Sequence, residues 1–161
     1  MKTKTTLLLA ALVVAFTSPL ALTRADEKKP AADAKASSKV EAGPRKGRIL
    51  AVGEPKAEFF VEADKTVSIK FYGKDNKVMA PAGQTVTATV DAKGKKTKLE
   101  FATKGDALVS SAKIPDGNGN PIVVQVKTTA DAKPQNFRFK LDLTTCGECS
   151  NPEYACTCEG H

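Results

Sequence analysis

Two stretches, TVSIKFY (Thr66–Tyr72) and QTVTATVD (Gln84–Asp91), carry the reading of the fold. In the first, Val67, Ile69 and Phe71 alternate with polar neighbours; in the second, Val86, Ala88 and Val90 do the same. A period of two is the mark of a strand with one buried face, because successive side chains leave a pleated backbone on opposite sides. The pattern extends in both directions. Strands are predicted over Arg48–Val52, Lys56–Glu62, Thr66–Tyr72, Gln84–Asp91, Lys96–Thr103, Ala107–Lys113, Ile122–Thr128 and Asn136–Leu143, the last with Phe137, Phe139 and Leu141 inward.

The intervals contain the Gly, Asn, Asp and Pro that turns require. They include Gly73–Asn76, Pro81–Gly83, Ala92–Gly94, Lys104–Asp106 and the run PDGNGNP at Pro115–Pro121. About eight short strands at this spacing predict an all-β fold, an antiparallel immunoglobulin-like β-sandwich, with a small barrel as the alternative. The domain has no tryptophan and no cysteine before Cys146, so no inter-sheet disulfide can hold it and aliphatic and phenylalanine side chains must. Phe59 and Phe60 are adjacent and so face opposite sides, one of them toward an edge or an interface.

Upstream the composition changes. The chain opens MKTK, continues with an apolar run over Thr6–Phe16, then Pro19 and Thr23-Arg24-Ala25. These are the parts of a secretory signal peptide, expected over 1–25. The run is shorter than the roughly 20 apolar residues of a membrane span, and nothing later is apolar enough to span a bilayer, so no membrane span is expected in the mature chain. Export implies a periplasmic or secreted protein. Residues 26–44 lack aromatics and have Val40 as their one branched aliphatic, so they are expected to be a disordered linker ahead of a domain at 45–143.

The whole chain is formally +7; losing Lys2, Lys4 and Arg24 with the signal leaves 22 basic against 18 acidic side chains, or +4. That charge is mild and scattered, without the basic stripe and interleaved aromatics of a nucleic-acid binder. With one histidine, no nucleophile–base arrangement and no glycine-rich phosphate loop, the chain is read as a non-enzyme with no catalytic residues.

The chemistry concentrates in the tail, residues 144–161. All four cysteines and the one histidine fall within it as C-x2-C-x6-C-x-C-x2-H: Cys146, Cys149, Cys156, Cys158 and His161. Cysteines at C-x2-C spacing can grip one ion in a tight turn, eased by Gly147, while Pro152 folds the spacer back to bring the remaining ligands. Such a soft set suits Zn(II) or Cu(I). The segment Asp142–His161 carries Asp142, Glu148, Glu153 and Glu159 and no Lys or Arg, which favours a cation. Outside the cytoplasm the same cysteines could instead form two disulfides, crossed between the two pairs, leaving a structural module for an exported protein partner. Thiol–disulfide exchange is a third reading, without the βαβ setting of a thioredoxin-like site. Tyr154 is expected to pack within the tail.

The segments AGPRKGRI (Ala42–Ile49), EFF (Glu58–Phe60), ALVSSAKIP (Ala107–Pro115), VVQVK (Val123–Lys127), AKPQNFRF (Ala132–Phe139) and the tail together resemble a group of small exported bacterial proteins. Their layout is similar to that of β-sandwich accessory proteins of heavy-metal efflux systems. The resemblance implies a metal-handling scaffold. Those efflux proteins carry His or Met ligands in the domain, whereas Met79 is the sole methionine of the mature chain here, so any site would lie in the tail.

Overall fold

The computed structural model describes residues 39–50 and 52–158. The expected signal peptide and most of the expected linker lie outside the described residues. The fold is all-β and antiparallel, as the alternation predicts. Its strands are β1 (Arg48–Leu50), β2 (Lys56–Val61), β3 (Val67–Tyr72), β4 (Val78–Met79), β5 (Thr85–Ala92), β6 (Lys95–Lys104), β7 (Ala107–Ser110), β8 (Asn120–Lys127) and β9 (Gln135–Leu141). The eight expected strands are present with shifts at their ends. The addition is β4, a short return from β3 through the turn in which Gly73 donates to Lys77 at 3.0 Å.

The hydrogen-bonded order is β1-β2-β3-β7-β6-β5-β8-β9, with β4 also on β3. Strand β6 serves two sheets. Its residues Lys95–Glu100 pair with β5, and Phe101–Lys104 pair with β7. One sheet therefore contains β1, β2, β3, β4 and β7, the other β5, β8 and β9, and β6 passes from one to the other. The expected sandwich and its barrel alternative describe the same object: two facing sheets linked through β6 and nearly closed.

The core follows the predicted faces. Val67, Ile69 and Phe71 from β3 meet Val86, Ala88 and Val90 from β5, with Leu50, Phe59, Leu99, Ile122, Val124 and Val126 completing it. Phe137 and Phe139 pack against this cluster half-buried, and Leu141 is buried. Removing one such aromatic ring from a core typically costs about 3–5 kcal/mol.

The outer face of β2 holds the one fully buried charged side chain among the described residues, Glu58, at 0 % exposure. Its Oε1 accepts from the amides of Arg45 and Gly47, both at 2.9 Å, and its Oε2 accepts from the Tyr72 hydroxyl at 2.8 Å and from Arg45 Nε at 3.4 Å. The turn at residues 43–47 is thereby folded onto the sheet, and Arg45 lies over the Phe60 ring, 4.6 Å from its centroid. Arg45 of this turn thus covers part of Phe60. Two glycines permit the approach. A Cβ on Gly43 would sit 2.4 Å from Glu58 Oε1, and one on Gly47 would sit 2.4 Å from the Phe59 carbonyl oxygen. Paired backbone already begins at Glu41–Ala42, ahead of residue 45, with Ala42 bridging Arg48 and Ile49 donating to the Glu41 carbonyl at 2.8 Å.

Strands β1 and β9 stand at the two ends of the strand order. Side chains bridge them: the Arg48 guanidinium lies 4.7 Å from the Phe139 ring centroid, and Gln135 Nε2 donates to the Val52 carbonyl at 3.3 Å. This seam positions the tail. Among the described residues no helix is long and apolar enough to cross a membrane.

Candidate metal centre

The chain leaves β9 through a polar knot. Asp142 Oδ1 accepts from the Thr144 amide at 2.9 Å and from Asn118 Nδ2 at 2.6 Å, while the Leu143 amide donates to Asn118 Oδ1 at 2.6 Å. The Thr144 amide foremost, then the Thr144 and Asn118 side chains, holds the Asp142 carboxyl below the usual carboxylate range. The PDGNGNP loop, read from sequence as a turn, therefore also aims the tail.

Beyond it the tail folds back on itself. The Cys146 amide donates to the Asn151 carbonyl at 2.8 Å, and the Ser150 amide donates to the Cys146 carbonyl at 3.0 Å. The left-handed residue of this loop is Ser150, with φ 57°, and not Gly147, to which the sequence reading assigned the turn. Pro152 acts as expected: Thr145 bridges Pro152, the Glu153 amide donates to the Thr144 carbonyl at 2.8 Å, and a single 3-10 turn follows over Glu153–Ala155. That turn delivers Cys156 and Cys158 to the first two cysteines.

The four sulfurs converge, all within 4.8 Å of one another. Cys156 and Cys146 Sγ are 3.4 Å apart, Cys149 and Cys156 3.6 Å, and Cys146 and Cys158 3.9 Å. A regular tetrahedron of thiolates around zinc, at about 2.3 Å per bond, has sulfurs about 3.8 Å apart. The three spacings bracket that value. A disulfide needs sulfurs at about 2 Å; all four cysteines are free thiols, so the two-disulfide arrangement is not the one in this structure. Cys146 and Cys156 are buried, and Cys149 and Cys158 are half-buried. His161 and Glu159 lie outside the described residues.

The sulfurs differ in their proton affinity. The Thr157 and Asn151 amides draw the Cys149 thiol down to about 6. Cys158 is pushed up, first by its hydrogen bond to the Glu148 carboxylate and then by Cys156 and burial. At Cys156 the Cys158 amide favours the thiolate, but burial and the Cys146 and Cys149 sulfurs outweigh it and raise the thiol. Cys149 is thus more readily ionised than Cys156 or Cys158, and a cation entering the cluster would displace thiol protons.

Tyr154 is not packed within the tail as the sequence suggests. Its ring sits edge-on to Phe59, with centroids 5.7 Å apart, and is stacked on Phe139 at 6.4 Å. Its hydroxyl accepts from the Val61 amide at 3.2 Å, and its carbonyl accepts from Arg48 Nη1 at 3.0 Å. Burial chiefly raises the Tyr154 hydroxyl above the ordinary tyrosine range, and likewise desolvates and lowers Arg48. The only sequence signal for this role was an aromatic residue in an otherwise polar tail. Among the described residues, the four cysteines are the one group of His, Cys, Asp or Glu side chains close enough to hold a metal ion. No protein-family model, no curated protein and no solved structure matches the chain.

Proposed function

We propose that the chain is an exported soft-metal-binding protein in which Cys146, Cys149, Cys156 and Cys158 hold one four-coordinate ion on a β-sandwich scaffold. The observation that carries the reading is the convergence of four free sulfurs within 4.8 Å of one another, with three of their spacings near the tetrahedral value. Zn(II) suits a tetrahedral four-sulfur set, and Cu(I) is the other soft ion that thiolates select. Four sulfurs complete the set without His161. Catalytic zinc sites keep a position open for water or substrate, and a closed set of four protein ligands does not. The role is therefore binding rather than catalysis, in keeping with the resemblance to metal-efflux accessory proteins.

Native mass spectrometry of protein purified without chelator tests the site. The expected spectrum shows one zinc- or copper-sized increment per chain that disappears with acid, and that is absent from Cys146→Ser/Cys156→Ser. A chain that takes up neither ion when fully reduced and offered one equivalent of Zn(II) or Cu(I) would refute the reading.

A further inference from the structure

The six residues between Cys149 and Cys156 do two things at once. Their turns place the ligands, through the Asn151 carbonyl that receives the Cys146 amide and the Glu153 carbonyl that receives the Cys156 amide. They also carry Tyr154 and Ala155 into the domain, where these are 2 % and 0 % exposed. Tyr154 precedes Cys156 by two residues. The backbone therefore gives little freedom to move the sulfur without moving the ring.

The ring in turn completes the seam. By register β1 stops opposite Phe59, where Arg48 pairs with it, so the Val61 amide lies past the end of β1. The Tyr154 hydroxyl accepts that amide in place of a strand neighbour. The Arg48 side chain spans the seam, over Phe139 on one side and on the Tyr154 carbonyl on the other. We propose that metal occupancy of the cysteine cluster and docking of Tyr154 in the β1–β9 seam are one coupled event, so that withdrawing the metal releases the tail and opens the seam. The inference rests on the proposed metal site.

The physical reason is that neither half holds the tail alone. Its regular structure is a single three-residue 3-10 turn, too short to persist by itself. Four clustered sulfurs repel once more than one is ionised, whereas a central cation makes the same cluster cohesive. An ion that binds only the closed arrangement stabilises everything the closed arrangement contains. By linkage the effect is reciprocal: whatever weakens the seam must weaken metal binding by the same factor.

Two measurements on the full folded protein test this. The first is zinc affinity of wild type, Tyr154→Phe and Tyr154→Ala by competition with a chromophoric chelator. Tyr154 donates no ligand, so a tail that binds metal independently predicts equal affinities. Coupling predicts that Tyr154→Ala binds about tenfold or more weakly, with Tyr154→Phe between it and wild type. The second is amide exchange of wild type with zinc and after chelation, which needs no variant. The Val61 amide is expected to lose protection on chelation while the Val124 and Ile69 amides keep theirs. If zinc binds stoichiometrically but Tyr154→Ala matches wild type within twofold, or Val61 protection is indifferent to zinc, the coupling is wrong and the site stands. If wild type binds no zinc or copper, the site reading fails and the coupling with it.

Discussion

Glu58→Gln is the most informative single change in the body of the domain. The carboxylate has no solvent exposure and takes four hydrogen bonds, two on each oxygen. A glutamine whose carbonyl replaces Oε1 keeps the Arg45 and Gly47 amides. Its NH2 then stands where Oε2 stood and meets the Arg45 Nε–H donor to donor, while the Tyr72 hydroxyl must turn from donor to acceptor. Arg45 also loses its buried counter-charge and retains Glu62 and Ser68, at 3.0 and 2.9 Å. Breaking a buried ion pair from one side costs about 3–5 kcal/mol. Arg45 is 24 % exposed and keeps part of its solvation, so the lower end, about 3 kcal/mol, is expected. For a domain of this size that is a fall in Tm of about 12 °C. Thermal unfolding followed by circular dichroism reads it, and a double-mutant cycle with Tyr72→Phe should return a coupling of at least about 1 kcal/mol. A Tm within about 3 °C of wild type would show that the carboxylate does not hold the 43–47 turn, and the account of that turn would fall.

Gly47→Ala, which drives a Cβ to 2.4 Å from the Phe59 carbonyl oxygen, should destabilise by about 3 kcal/mol, whereas Gly147→Ala, with nothing within 4 Å, should lie within about 0.5 kcal/mol of wild type by urea unfolding. Truncation after Leu143 removes Tyr154 from the seam and should cost about 3 kcal/mol against the zinc-loaded full chain but much less against the metal-free one, so an unfolding midpoint equal to that of the zinc-loaded full chain would show that the tail is a mere appendage. Burial first, and then the hydrogen bond to Glu58, raises the Tyr72 hydroxyl from 10 to about 12. A raised folded pKa contributes stability that is complete below pH 10 and is lost as pH rises through 12. The chain has two tyrosines, Tyr72 and Tyr154, both raised, so the native protein should show little tyrosinate absorbance at 295 nm at pH 10, and denaturant should reveal it.

Strand existence and facing were legible because both are local. The inward sets predicted for the Thr66–Tyr72 and Gln84–Asp91 stretches are the ones buried in β3 and β5. Strand β4 was not legible, since Val78 and Met79 are two exposed residues with no alternation to announce them. Nor was the double membership of β6: alternation says which side chains turn inward, but not which neighbour each half of a strand will find. Glu58 shows the same limit. Nothing in its own strand announces that the 43–47 turn will fold over it and bury its carboxylate. The cysteine cluster was legible as a set because its spacing is short. Tyr154 was not, because its partners Val61 and Arg48 lie 93 and 106 residues away in sequence.

Those separations also set the timing of assembly. The first strand and the last turn of the described chain meet at Tyr154, so the seam remains without its filler until residue 154 is synthesised. A growing chain can pair β2 with β3 or β5 with β6, yet it cannot complete the closed domain before Tyr154 has been made. Long-range closure of this kind is slow and leaves apolar surface uncovered in the interval. Completion of the fold thus waits on the tail, and whatever surroundings the chain has by then also decide whether an ion is there to meet it.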